Sequence, residues 1–201
     1  MTDKSELEVT DRIATVPNLL SAVRLAGVPL FLFLLLGPQA DGWALVILLV
    51  SGGTDWLDGK LARLLGQSSR LGAILDPLVD RLYVVSTLVA FVVRGIIPWW
   101  VAAILIGRDA VLGLTMFVYR RRSLPPPDVI YLGKAATFVV MIALPVLLVS
   151  VGTGSVADAA GPLGYALLIW GTVLYTWTGA LYLGKAVAVA RAIAPTSAPG
   201  R

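Results

Sequence analysis

The 201-residue sequence contains no cysteine and no histidine. Without cysteine there is no disulfide, no thiolate metal ligand and no thiol nucleophile. Without histidine there is no imidazole to act as a base or to bind a metal. Any metal must therefore be held by oxygen, which selects Mg²⁺ or Mn²⁺ over zinc or copper. Charge is also scarce. Only 14% of residues are charged, against about 25% in soluble domains. Apolar residues make up 58% of the chain, and the mean hydropathy is +0.86. This composition is that of a membrane protein of one domain. The net charge of +4 on its own would suit a nucleic-acid binder, but the placement of the charges suits a membrane surface.

Crossing a bilayer takes about 20 largely apolar residues. Six segments meet that length, at roughly 19–37, 42–64, 73–93, 98–119, 130–150 and 162–187. The connections between them are short, including Gly152–Gly161 between the last two, so the expected fold is an all-α polytopic membrane bundle of six transmembrane helices. Residues 1–17 are polar and lack the features of a signal peptide. Val9, Ile13 and Val16 share a helical face there, which fits an interfacial helix lying on the membrane; a disordered tail is the alternative. Residues 18–190 form the membrane domain, and the Pro-rich segment 191–201 reads as a disordered tail. Lys60, Arg63, Arg70, Arg120, Arg121, Arg122, Lys185 and Arg191 collect on one side, and Arg94 stands alone on the other. The positive-inside rule then puts both termini in the cytoplasm.

Against this apolar background, four aspartates stand between Asp55 and Asp80. A carboxylate near hydrocarbon is expensive and needs a partner or a task. Asp55 and Asp58 are i, i+3 on the second helix, and Asp76 and Asp80 are i, i+4 on the third, so each pair shares a face. A short turn joins the two helices, so the pairs can converge on the cytoplasmic side. Gly59 and Gly72 remove side chains where a ligand must approach the backbone. Ala62 keeps the face shallow, and Arg63 at the rim suits a phosphate. Four close carboxylates repel one another unless cations intervene. Two divalent ions about 4 Å apart would resolve this, as in two-metal phosphoryl transfer. The plainer reading, interfacial ion pairs with Lys60, Arg63 and Arg81, does not explain the small residues between the aspartates.

The pattern D-x-x-D-G-x-x-A-R-x8-G-x3-D-x3-D is present at Asp55, Asp58, Gly59, Ala62, Arg63, Gly72, Asp76 and Asp80. It resembles the signature of the CDP-alcohol phosphotransferases at all eight positions. The run Pro17-Asn18-x-Leu20-Ser21-x-x-Arg24 is also similar to that family's approach to its first helix. The resemblance implies transfer of the phosphatidyl group of CDP-diacylglycerol to an alcohol, with release of CMP. It implies that Asp55, Asp58, Asp76 and Asp80 hold two Mg²⁺ or Mn²⁺ ions. Asp80 would also take the proton of the attacking hydroxyl, and Gly59, Ala62, Arg63 and Gly72 would lie against the CDP moiety. It further implies a cell-membrane enzyme acting at the cytoplasmic face, as a homodimer, with no nucleic-acid partner.

The acceptor is to be sought elsewhere in the chain. Arg108-Asp109 in the fourth span, the basic exit Arg120-Arg121-Arg122, and Leu132-Gly133-Lys134-x-x-Thr137 resemble the eukaryotic-type cardiolipin synthases of the family. These use phosphatidylglycerol. The phosphatidylglycerophosphate synthases, which use glycerol 3-phosphate, are the next resemblance. Both acceptors carry phosphate, so Arg108, Lys134 and Arg24 are the candidate acceptor-binding residues. Adjacent helix positions point about 100° apart. Arg108 and Asp109 should therefore pair poorly with each other, and at least one should find a partner on another helix or a ligand. Lys134 could equally mark the interface by snorkelling. Trp99, Trp100, Trp170 and Trp177 suit interfacial or packing roles. Gly179 and Gly184 suit close helix approach in a dimer. A cation transporter is the distant alternative, because carboxylates also line ion paths. It is disfavoured because all four aspartates lie toward one membrane face.

Overall fold

The apolar runs all fold as helices. The computed structural model describes residues 16–65, 72–121 and 131–193. It contains α1 (Val16–Leu36), α2 (Asp41–Leu65), α3 (Gly72–Val93), α4 (Trp99–Arg121), α5 (Tyr131–Val149) and α6 (Ser155–Ile193). Among the described residues there is no strand. Among the described residues four helices, α1, α4, α5 and α6, are long and apolar enough to cross a membrane. In α2 the apolar stretch among the described residues is Asp41–Thr54, and Asp55, Asp58, Lys60 and Arg63 follow it in the sequence. The six expected spans are thus six helices, four of which qualify by length and composition. The segments 1–15 and 194–201, where the interfacial helix and most of the tail were expected, lie outside the described residues.

The sixth helix departs most from expectation. Pro162 suits a first helical position, and the helix was expected to begin there. It begins at Ser155, with Asp158 in its first turn, where an acidic side chain favours the positive end of the helix dipole. Pro162 lies inside it. At its other end α6 runs past 187 and 190 to Ile193, through the helix-forming run Ala188-Val-Ala-Arg-Ala. The loop expected at Gly152–Gly161 is therefore a short turn ending at Gly154, whose φ of 99° favours glycine.

The chain divides into two compact units. One comprises residues 1–97 and 145–161, the other 98–144 and 162–201. Both α5 and α6 pass from one unit to the other at a proline, Pro145 and Pro162.

In the first unit, α1 packs on both α2 and α3. Its buried stripe is Asn18, Ser21, Arg24, Val28, Phe31 and Leu35, the i, i+3, i+7 rhythm of one helical face. The stripe is polar up to Arg24 and apolar beyond. Gly27 lies on the same side. A Cβ there would sit 2.3 Å from the Tyr83 hydroxyl oxygen, so glycine lets α1 and α3 approach. α3 ends in a Schellman turn, with Gly95 at φ 68°. The Gly95 N–H donates to the Val92 carbonyl, and the Ile96 N–H to that of Phe91. Beside this turn Arg94 is paired with Asp41, in the first turn of α2. Arg94, the one basic residue that the charge pattern set apart from the others, is therefore neutralised by an aspartate.

In the second unit, α6 lies close against α5 at Gly171. A Cβ there would be 2.8 Å from Val140 Cγ2 and 3.4 Å from its backbone nitrogen. The outward residues of both units are largely apolar, among them Phe33, Leu49, Val93, Leu114, Phe138 and Ile169. This is the inverse of a soluble protein and suits a lipid environment. Trp99, Trp100, Trp170 and Trp177 are all well exposed, so they are surface aromatics rather than core.

Candidate active site

Gly72 opens α3 and is buried. Asp76 and Asp80 follow it on one face, and both are partly buried. The polar end of α1 meets them there. The Ser21 hydroxyl donates to Asp76 Oδ1. Arg24 Nη1 donates to Asp80 Oδ1 at 2.8 Å. The spacing explains the match, since a residue pair at i, i+3 on α1 faces a pair at i, i+4 on α3. Ser21, Arg24 and Gly27 meet Asp76, Asp80 and Tyr83 in the same order, so α1 and α3 run parallel. The Arg24 side chain is 2% exposed and that of Asp80 41%. The guanidinium is thus part of the interior, and the carboxylate is partly exposed.

Asp55 and Asp58 lie in the second half of α2, three residues apart on a continuous helix. The side chains of Asp55, Asp58, Gly59, Ala62 and Arg63 lie outside the described residues. Arg24 was expected near the acceptor. It is buried against Asp80, a contact that bears on how that carboxylate is oriented.

Arg108 and Asp109 form a second polar cluster, within the other unit. Their side chains are 10% and 12% exposed. They do pair with each other, Nη1 to Oδ1 at 3.1 Å, against the expectation from helix geometry. The reach of the arginine side chain overcomes the angle between the two positions. Both also find partners on α6, as expected of at least one. The Tyr175 hydroxyl donates to Asp109 Oδ1 at 2.7 Å. Arg108 Nη2 donates to Thr178 Oγ1 at 3.3 Å, and the guanidinium lies over the Tyr175 ring at 4.1 Å. A Cβ at Gly179 would stand 2.7 Å from Arg108 Cγ. Gly179 therefore makes room for Arg108 of its own chain, while a Cβ at Gly184 would meet nothing within 4 Å. At the start of α5, Gly133 also faces Arg108: a Cβ there would lie 3.8 Å from Nη2. The neighbouring Lys134 is exposed, with its Nζ 5.8 Å from the Tyr131 ring.

Ser21, Tyr175 and Thr178 were not singled out as site residues from the sequence. The signals were present, because Ser21 precedes Arg24 by three positions, and Tyr175, Thr178 and Gly179 form an i, i+3, i+4 stripe. Neither stripe says which helix it faces.

Comparison with known proteins bears on the same residues. The family model for CDP-alcohol phosphatidyltransferase matches residues 14–192. The chain is 52% identical over 188 residues to a cardiolipin synthase (CMP-forming) of Streptomyces coelicolor, covering 91% of this chain and 87% of the relative. It is 34% identical over 194 residues to the cardiolipin synthase (CMP-forming) of Oryza sativa, covering 87% of this chain and 58% of the relative. A Mycobacterium tuberculosis protein named "Probable phosphatidylglycerophosphate synthase" is 31% identical over 189 residues, with 88% of this chain and 83% of the relative covered. The match spans both the aspartate pairs and the Arg108 cluster, and the chain belongs to the CDP-alcohol phosphatidyltransferase family.

Proposed function

We propose that the chain is a cell-membrane cardiolipin synthase, transferring the phosphatidyl group of CDP-diacylglycerol to phosphatidylglycerol with release of CMP. The 52% identity to the Streptomyces coelicolor cardiolipin synthase over nearly the whole chain carries this reading. Six spans, cytoplasmic termini, a cytoplasm-facing site and a homodimer belong to the same proposal. Parallel packing of α1 and α3 supports the topology, since both then enter from one side.

Asp55, Asp58, Asp76 and Asp80 would hold two Mg²⁺ or Mn²⁺ ions. The donor chemistry fits, because every candidate ligand is a carboxylate oxygen and the chain has no histidine or cysteine. The helix register fits as well. α2 runs antiparallel to α3, with Asp41 paired to Arg94 and Ser51 beside Tyr83. Continued along both helices, that register brings position 55 level with 79–80 and position 58 level with 76–77. Bound divalent ions would neutralise the diphosphate and its leaving group.

The protein's own residues do the rest. Gly59, Ala62, Arg63 and Gly72 would line the CDP moiety. Asp80, fixed by Arg24, takes the proton of the acceptor hydroxyl. The hydroxyl oxygen bonds to the phosphorus of the phosphatidyl group as the bond to CMP breaks. Atoms balance, since one alcohol and one CDP-diacylglycerol give one cardiolipin, one CMP and the proton on Asp80. Arg108 and Lys134 would receive the acceptor phosphate.

The test is CMP release by purified protein across an acceptor panel, with and without chelator. Release with phosphatidylglycerol, abolished by EDTA and restored by Mg²⁺, is expected. No release with phosphatidylglycerol, glycerol 3-phosphate or an inositol phosphate would remove the activity, and release unaffected by EDTA would remove the metals.

A further inference from the structure

An arginine and an aspartate that are only 10% and 12% exposed in an apolar helix are costly to retain. Replacing such a pair by apolar side chains is often neutral or stabilising. Here α6 is shaped around the pair in four ways. The Tyr175 ring covers one face of the Arg108 guanidinium at 4.1 Å, the favoured stacking for this group. The Tyr175 hydroxyl donates to Asp109 Oδ1, the same oxygen that accepts from Arg108 Nη1. Thr178 commits its proton to the α6 backbone, at the carbonyls of Leu174 (2.9 Å) and Tyr175 (3.0 Å). Its oxygen is then left to accept from Arg108 Nη2. Gly179 clears space for the arginine stem.

The guanidinium is thereby held on one face and at both terminal nitrogens. Simple charge neutralisation would need Asp109 alone. A fixed plane and direction matter to a ligand that is met by the fork of an arginine, as a phosphate is. Gly133, at the start of α5, adds no side chain of its own beside Nη2, where the Tyr182 ring also stands.

We infer that Tyr175 and Thr178 are positioning residues for Arg108, orienting its guanidinium toward the phosphate of the acceptor and so setting acceptor affinity. This rests on the proposed transferase reaction and on Arg108 as a phosphate ligand.

The experiment is steady-state kinetics in mixed micelles, with the acceptor and CDP-diacylglycerol varied separately, on wild type, Tyr175→Phe and Thr178→Val. Tyr175→Phe removes one hydroxyl and keeps the ring, and Thr178→Val keeps the shape. The acceptor is whichever of phosphatidylglycerol or glycerol 3-phosphate the wild type uses. The expected result is a rise of about fivefold to tenfold in the acceptor KM for each variant, the scale of one net intramolecular hydrogen bond. The KM for CDP-diacylglycerol should stay within about twofold, as expected where no contact to that substrate is lost. Equal changes in both KM values, or a loss of thermal stability with unchanged KM ratios, would make the cluster a structural staple and overturn the inference. If one variant fails to fold, the other gives the same ratio. Wild type inactive with every phosphate-bearing acceptor would instead overturn the underlying reaction, and the inference with it.

Discussion

Asp80 is anchored by a residue 56 positions earlier in the chain. Its spacing from Asp76 was legible in the sequence, and so was a pattern demanding a role for it. The hand of Arg24 on it was not, because an arginine in a first span fits a ligand or a snorkelling role equally well. Only the parallel packing of α1 on α3 pairs the two. The same holds for Asp109, whose Tyr175 partner lies 66 residues away. At this scale the base assignment is open to direct test. Asp80→Asn keeps the shape and an oxygen for Arg24 but loses the proton acceptor. Its kcat at saturating Mg²⁺ should fall by about 10²–10⁴-fold, the usual worth of a positioned base, while CDP-diacylglycerol binding persists. Initial rates of CMP release measure it, and a wild-type rate in this variant contradicts the role.

The helices themselves were largely legible, because 20-residue apolar runs leave few alternatives. Most ends agreed to within a few residues where glycine or proline punctuates the chain, as at Gly95 and Pro98. The start of α6 was not, since Pro162 can begin a helix or sit inside one, and Ser155 with Asp158 supplied the competing start. The glycines of α6 illustrate what a sequence leaves open. Gly171, Gly179 and Gly184 look alike on paper, yet only the first two face neighbours of their own chain. Gly171→Ala forces a Cβ onto Val140 and should cost about 1–3 kcal/mol, the range for overpacking. Gly184→Ala meets nothing within 4 Å and should leave stability unchanged or raise it by up to about 1 kcal/mol, the helix preference of alanine over glycine. Thermal unfolding of the two variants in detergent reads the difference, and equal effects would contradict the α5–α6 approach.

At the scale of the whole molecule, charge and topology argue together. The positive-inside reading sets the basic clusters toward one membrane side, and the one exception to it, Arg94, is tied to Asp41. The missing cysteines make orientation simple to measure, since any introduced thiol is unique. Thr153→Cys should react with a membrane-impermeant maleimide on intact cells, and Ser123→Cys only after permeabilisation. The opposite pattern would put the aspartates on the far side from the cytoplasm.

Family membership was legible from eight spaced residues, since together they set four carboxylates, small residues and one arginine in a single short stretch. The acceptor was not written there, because its proposed partner Arg108 is framed by side chains that the fold gathers from α4 and α6. The central claim is therefore tested most directly by competition in one reaction. Purified protein is given CDP-diacylglycerol, Mg²⁺ and equal amounts of phosphatidylglycerol and glycerol 3-phosphate, and the lipid product is identified by mass. Cardiolipin, formed in step with CMP, is predicted. Phosphatidylglycerophosphate without cardiolipin would contradict the acceptor assignment, and the absence of any new phospholipid would contradict the activity itself.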